Sequence, residues 1–312
     1  MRHWKLCFTA FGIVTGLFVF VLSASAADLR IGTASQGGAF YPIGQAVATL
    51  VNNHTDGLKM VPVVTGGSVQ NPRLVNSGEV DIAITNNNLS VLANKGVAMY
   101  AKQGKMDLKA VGSLHFSVLH MVVVENSSIQ SIPDLKGKRV AVGPAGGGTL
   151  QFLKQVLGLY DMTIKDITPS FLSYGDGFSQ LADGNVDAAF ALSGFPSSAV
   201  MQARVNKELR FIKLAPEVME KALGKYKNYN RVVVPKAVYD TAEDGVVLGV
   251  SNMLIVNADM DTETIYQITK AIYDNMDEFR SMNAIANQIE PMMSLKLSIP
   301  LHPGAKRYFD SK

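Results

Sequence analysis

The sequence contains very little cysteine: Cys7 is its only one in 312 residues. Cys7 stands just before a mostly apolar run over residues 8–22, which two basic residues precede and Ala24-Ser25-Ala26 follow. This order is typical of a secretory signal peptide, because an uncleaved span needs about 20 apolar residues. We therefore predict cleavage near Ala26, which removes residues 1–26 and leaves a chain without disulfides or thiol chemistry.

A strong charge bias is also missing. Without residues 1–26, basic and acidic side chains are almost equal in number, and no basic cluster marks a nucleic-acid surface. An exported, cysteine-free and nearly neutral chain is typical of a bacterial periplasm. We expect a periplasmic monomer with no nucleic-acid partner.

The motifs of common enzymes are absent as well. The loop from Gly143 to Gly148 has the glycine spacing of a phosphate loop, but Thr149 stands where that motif needs lysine, and no G-x-G-x-x-G or G-x-S-x-G occurs. His115 and His120 are five residues apart on a predicted strand, so they face opposite sides and form no metal pair. We predict no cofactor, no metal and no enzymatic activity. Each histidine is expected at the surface or in a local hydrogen bond, with His115 the least certain.

What the sequence does contain is a repeated strand, loop and helix pattern. Residues 29–32 form an apolar run that ends in the glycine-rich loop 33–39, and Pro42 opens a segment with helical spacing. The same order returns over residues 138–157, and Gly78-Glu79-Val80-Asp81 recurs as Gly184-Asn185-Val186-Asp187. Two similar α/β lobes are the simplest explanation.

Two longer extended segments, over residues 114–124 and 246–256, are predicted to cross between the lobes. The first lobe would then be discontinuous, over 27–119 and 248–312, and the second would cover 120–247. Residues 261–282 are predicted to form one amphipathic helix of the first lobe. Two crossings allow the lobes to hinge.

The glycine loops follow the carboxyl ends of predicted parallel strands, where ligands bind in such sheets. Small residues beside helix N-termini hold anions, and neutral donors such as Ser68 and Thr149 suit a carboxylate. Whether Arg73, Lys154 or Arg204 reaches the cleft stays open. Asp81 and Asp187 stand at strand starts after turns, so we predict a structural role for them.

Several motifs in order resemble the TAXI family of solute receptors for TRAP transporters. They span the chain after residue 26 and are Gly32-Thr33-Ala34-Ser35-Gln36-Gly37-Gly38, Tyr41-Pro42-Ile43-Gly44, Thr65-Gly66-Gly67-Ser68-Val69, Asp134-Leu135-Lys136-Gly137-Lys138-Arg139-Val140, Val186-Asp187-Ala188-Ala189 and His302-Pro303-Gly304-Ala305. The family usually carries Tyr-Pro-Glu or similar where this chain has His115-Phe116-Ser117.

The resemblance implies an α/β periplasmic binding protein of the two-lobed type II kind. It would deliver a small carboxylate, such as glutamate or 2-oxoglutarate, to the membrane permease subunits of a TRAP transporter. The alternatives are a ligand-sensing module for a membrane sensor kinase and, from another class, a periplasmic enzyme on the same fold. The loops and the resemblance together predict ligand contacts at Ser35, Gly37, Gly38, Tyr41, Gly67, Ser68, Asn86, His115, Gly147, Gly148, Thr149, Tyr174 and Ser193.

Overall fold

The computed structural model describes residues 28–312, so the predicted signal peptide and its cleavage site lie outside the described residues. Ten strands form one mixed sheet in the order β2-β1-β3-β10-β4-β7-β5-β6, with β8 beside β4 and β9 beside β10. The strands are β1 Leu29–Gly32, β2 Met60–Val63, β3 Ile82–Asn86, β4 Leu108–Val124, β5 Arg139–Ala141, β6 Thr168–Ser170, β7 Ala188–Ser193, β8 Leu209–Phe211, β9 Tyr229–Val234 and β10 Gly245–Asn257.

Helices cover the sheet and alternate with the strands in each half. None of the helices between residues 28 and 312 is long and apolar enough to cross a membrane. They are α1 Phe40–His54, α2 Asn71–Ser77, α3 Asn87–Lys95, α4 Gly148–Leu159, α5 Tyr174–Ala182, α6 Ser198–Asn206, α7 Pro216–Lys225, α8 Lys236–Tyr239, α9 Thr262–Tyr273, α10 Met276–Met282 and α11 Pro303–Asp310.

Two long antiparallel strands, β4 and β10, connect the halves of the sheet. β10 pairs with β3 at its end and with β9 at its start, and β4 pairs with β10 and then with β7. Both strands therefore run from one half into the other, at the places where the sequence predicted crossings. The first lobe is built around β1, β2 and β3, and the second around β5, β6 and β7.

Buried apolar side chains form separate cores in the two halves. Two clusters use residues up to Leu114 and from Met253 onward, and two others use residues between Val118 and Val250. Each half thus buries its own apolar surface, which lets the halves move as units. The lobe boundaries stay a prediction.

The internal repeat appears as the same ion pair in both lobes. The carboxylate of Asp81 accepts from the backbone N–H of Arg30 at 2.7 Å, and that of Asp187 accepts from Arg139 at 2.8 Å. Each arginine side chain also contacts its aspartate and donates to the carbonyl of the matching glycine, Gly78 or Gly184. The two aspartates fasten a turn to a strand, which is the structural role predicted for them.

Two helix predictions were wrong in detail. The first helix begins at Phe40 rather than at Pro42, because proline is tolerated anywhere in a first turn where N–H groups have no intrahelical partner. The segment over 261–282 is two helices, α9 and α10, because the Asn275 side chain donates to the Ala271 carbonyl and its backbone leaves the helical region.

Candidate ligand site

The loops at the carboxyl ends of the strands meet across the boundary between the lobes. The N–H of Ala39 donates to Ser193 Oγ at 3.0 Å, and the N–H of Val69 donates to the Gly146 carbonyl at 3.0 Å. A third hydrogen bond joins Ala199 N–H to the Gly37 carbonyl at 3.3 Å. The glycine loops of both lobes therefore share one interface, with the lobes closed on each other.

Glycine is required at the closest approach. Gly37 and Gly67 have φ of +90° and +98°, which other residues rarely adopt. A Cβ on Gly66 would lie 3.1 Å from the Gly146 Cα, and a Cβ on Gly37 would lie 2.6 Å from the Gly175 nitrogen. Side chains at Gly37 and Gly66 would hold the lobes apart.

Several helices begin at this interface without a capping side chain, among them α1, α3 and α4. α1 follows Ala39 and α3 follows Asn86 in the first lobe, whereas α4 follows Gly147 in the second, and none has a side-chain hydrogen bond at its N-cap. Ser173, Asp261 and His302 cap α5, α9 and α11, whereas the other α-helices of residues 28–312 likewise have no side-chain hydrogen bond at the N-cap. The first-turn N–H groups of α1, α3 and α4 have no intrahelical acceptor, and the helix dipoles add positive potential there. This arrangement suits an anion.

Two predicted contacts carry buried polar atoms without a partner. Ser35 Oγ and both ring nitrogens of His115 make no hydrogen bond within residues 28–312. The His115 ring packs edge-on against Phe40 at 6.0 Å between ring centres, and a Cβ on Gly194 would lie 2.8 Å from it. Burial lowers the pKa of His115 to about 3, so the ring is neutral and offers one donor and one acceptor.

Ser68, Asn86 and Gly148 come together from opposite lobes. A Cβ on Gly148 would lie 2.5 Å from Asn86 Oδ1 and 3.4 Å from Ser68 Oγ. Ser68 and Asn86 are both buried. These first-lobe side chains therefore face the start of α4; that they form the wall of a ligand cleft stays a prediction.

Thr149 and Tyr174 form a network inside the second lobe. Leu192 N–H donates to Thr149 Oγ1 at 3.1 Å, and the Tyr174 hydroxyl, 2.6 Å from Thr149 Oγ1, donates to the Leu192 carbonyl. The Tyr174 ring also packs against Gly38 of the first lobe, whose Cβ would lie 2.9 Å away. The Thr149 side chain is thus engaged within its own lobe, and Tyr174 contributes a contact between the lobes.

Tyr41 and three basic residues considered for the site have the following positions. Tyr41 is half-buried in the first turn of α1. The guanidinium of Arg73 donates to the carbonyls of Met99 and Val69, and Lys154 is exposed. Arg204 lines a separate cavity in the second lobe. Arg204 therefore lies away from the glycine loops, whereas Arg73 contacts the Val69 carbonyl at the end of the loop over residues 65–69, and its Nε is buried without a hydrogen bond in the described part of the chain.

The histidine prediction was wrong for two of the four. His54 contacts Glu278 and His302 accepts locally from Gly304, as expected, but His115 and His120 are both fully enclosed. The His120 ring contacts the Tyr239 hydroxyl at 2.7 Å, and burial lowers its pKa to about 4. Strand β4 is covered on both faces, so neither side reaches solvent. No group of three or more metal-ligating side chains was found between residues 28 and 312.

Sequence reasoning missed two buried asparagines. Asn71 Nδ2 donates to the carbonyls of Thr33 and Ile84, which ties the first glycine loop to β3. Asn252, in the middle of β10, contacts Asn86. The available signal for Asn252 was a lone amide inside an apolar extended segment, which must find hydrogen bonds when buried.

Comparison with known proteins identifies relatives among binding proteins. A model of the NMT1-like family matches residues 31–312. The putative aliphatic sulfonates-binding protein of Escherichia coli K12 is 33% identical over 85 residues, 27% of this chain and 26% of that protein. The match thus spans about a quarter of that relative. Its name is that of a binding protein, in agreement with the prediction that this chain is not an enzyme.

Solved structures share the architecture at low identity. The putative L-cystine ABC transporter protein from Listeria monocytogenes has a TM-score of 0.51 and 14% identity, with 82% of this chain and 93% of that chain covered. The alkanesulfonate-binding protein from Xanthomonas axonopodis pv. citri bound to MOPS has a TM-score of 0.49 and 16% identity, covering 92% and 84%. The predicted α/β periplasmic binding protein type II fold is confirmed.

Proposed function

The chain belongs to the NMT1-like family, and from that premise we propose that it is a periplasmic solute-binding protein. It captures a small carboxylate between its lobes and passes it to a membrane permease. The observation that carries this proposal is the meeting of uncapped helix N-termini from both lobes, those of α1 and α3 with that of α4. An anion there gains hydrogen bonds from both sides only when the lobes are closed.

Lobe closure follows from this arrangement as a population shift. A solute that contacts both half-sites binds the closed form better than the open form, so it moves the equilibrium toward closure. The hydrogen bonds from Ala39 to Ser193 and from Val69 to Gly146 add to the closed form without the solute. The permease then distinguishes loaded from empty protein by shape.

The permease is proposed to be of the TRAP type. The ordered motifs that resemble the TAXI family support this partner, and removal of residues 1–26 would place the protein in the periplasm with it. The named relatives favour a second candidate, in which the solute is a sulfonate and the permease belongs to an ABC transporter. Both solute classes present a monoanionic head that neutral N–H donors can hold.

A binding screen on residues 27–312 tests the proposal. Carboxylates and their sulfonate counterparts, such as L-glutamate with L-homocysteate and β-alanine with taurine, are tested by thermal shift and then by calorimetry. A specific solute raises the melting temperature by mass action. The proposal expects a carboxylate to bind and to be recovered unaltered. Preference for the sulfonates would favour the second candidate, and binding of neither class would refute the proposal.

Ser68→Ala connects the screen to the site. Ser68 Oγ lies beside the start of α4. Its removal would cost the anionic group of the solute one hydrogen-bond donor, which we expect to weaken binding by about 10-fold. Thr149→Val is a poorer test, because it would also break the contacts to Tyr174 and Leu192. The exposed Ser77→Ala serves as control.

A further inference from the structure

A buried group of polar side chains lies where β3, β10 and β4 are neighbours. Asn86, Ser117 and Asn252 are each at most 1% exposed. Buried apolar residues such as Ile84, Val250 and Leu254 lie close to them along the same strands. Buried amides are costly unless they are hydrogen-bonded, so their orientations are fixed by their partners. The partners here determine which end of each amide faces which way.

The orientation of Asn252 is set by a backbone carbonyl. Asn252 Nδ2 lies 2.9 Å from the His115 carbonyl oxygen, which can only accept, and 2.9 Å from Ser117 Oγ. The amide nitrogen of Asn252 must therefore point to β4. Its oxygen then points to Asn86 on β3 and also lies 3.3 Å from the Ser117 hydroxyl.

The orientation of Asn86 follows from that of Asn252. Asn252 Oδ1 lies 2.7 Å from Asn86 Nδ2. If the Asn86 amide were turned over, two carbonyl oxygens would face each other at this distance, which is repulsive. Asn86 therefore turns its amide nitrogen toward Asn252 and its amide oxygen in the opposite direction.

That oxygen lies at the interface between the lobes. It faces the start of α4, where a Cβ on Gly148 would lie 2.5 Å from it, and Ser68 Oγ is on the same side of that glycine. No hydrogen bond between residues 28 and 312 uses Asn86 Oδ1 as acceptor. The lobe interface thus has an acceptor of fixed orientation beside the N-terminus of α4.

We propose that Asn252 is a positioning residue that makes Asn86 Oδ1 a hydrogen-bond acceptor for the solute. The solute therefore carries an N–H or O–H donor next to its anionic group, as an amino acid, an amino sulfonate or a hydroxy acid does. A donor-free acid would leave this oxygen desolvated and unpaired, or place an anionic oxygen against it. This inference rests on the proposed function, because it assumes that the solute occupies this cleft.

Matched ligand pairs test the inference by calorimetry. L-Glutamate with glutarate, and taurine with ethanesulfonate, differ by an ammonium group. In any pair that binds, the member with the donor is expected to bind at least about 10-fold more tightly. Asn252→Ala is expected to reduce this affinity ratio at least about 5-fold. The control is Asn94→Ala, which removes an α3 amide that is hydrogen-bonded to the backbone of Leu108 and should leave the ratio unchanged. Equal affinities within a pair, or an unchanged ratio in Asn252→Ala, would overturn the inference.

Hydrogen exchange of the Asn86 side chain separates this inference from the proposed function. In the ligand-free protein, the Asn86 Nδ2 protons are expected to exchange slowly with water by NMR and at least about 100-fold faster in Asn252→Ala. If no ligand pair binds, the proposed function fails. The exchange rates then still test the orientation of the Asn86 amide by themselves. Rapid exchange in the unaltered protein would refute the orientation and with it the inference.

Discussion

Ser193 Oγ in the second lobe accepts a hydrogen bond from the N–H of Ala39 in the first, at 3.0 Å. Ala39 is the N-cap residue of α1 and Ser193 is the last residue of β7. The start of α1 is therefore joined to the opposite lobe. Under the proposed function, solute binding and lobe closure would use the same helix end.

Removal of this contact is expected to weaken solute binding. Ser193→Ala deletes one interlobe hydrogen bond that exists only in the closed form, so the affinity measured by calorimetry should fall about 3- to 10-fold. The melting temperature without solute should change little. The exposed Ser281→Ala is the control. Unchanged affinity in Ser193→Ala would show that this contact contributes nothing to closure.

A side chain at Gly146 is expected to prevent closure. Its Cβ would lie 3.0 Å from the Gly66 Cα, and the extra methyl groups of Gly146→Val would collide with the first lobe. Small-angle scattering should then show no compaction when solute is added, with at least about 10-fold weaker binding. Gly158→Val is the control, because nothing lies within 4 Å of a Cβ there. Normal compaction of Gly146→Val would contradict the closed contact.

The buried histidines are expected to lower stability in acid. Burial lowers the pKa of His115 to about 3 and of His120 to about 4, whereas the unfolded chain binds a proton near pH 6.5. Between these values only the unfolded state is protonated, so the free energy of unfolding falls as pH drops below 6.5. Urea unfolding at pH 7.0 and 4.5 should show about 2 kcal/mol less pH dependence in His115→Leu. Equal pH dependence in both proteins would place His115 in contact with water.

The repeated ion pairs are expected to affect stability and not binding. Asp81→Ala and Asp187→Ala each remove a carboxylate that accepts from a backbone N–H and from an arginine. The cost in free energy of unfolding should be about 1 to 2 kcal/mol, measured by urea denaturation. Solute affinity should stay within about twofold. Loss of affinity at unchanged stability would instead favour a role in ligand binding.

The sequence allowed the lobes, the crossings and the position of the glycine loops to be predicted, because strand and helix periodicity and the Asp81 and Asp187 repeat are local signals. It did not reveal the approach of Gly66 to Gly146, since that contact depends on how two lobes close. The break at Asn275 was also missed, because a side chain that bonds the preceding turn competes with a pattern that continues through it.

The orientation of polar side chains could not be predicted from the sequence either. Ser68 and Asn86 were expected to contact the solute; both are buried beside Gly148 at the lobe interface, and contact with a solute stays a prediction. Which end of the Asn86 amide faces the cleft depends on Asn252, which is distant in sequence and enters through β10. The orientation of a buried amide depends on hydrogen-bond partners that come together only in the folded chain.

The most direct test of the account is a crystal structure of residues 27–312 with the solute identified by the binding screen. The account predicts that the anionic group of the solute lies within hydrogen-bond distance of first-turn N–H groups of both α1 and α4. A solute held by one lobe alone, or in the cavity of about 880 Å³ beside His120 in the second lobe, would contradict it.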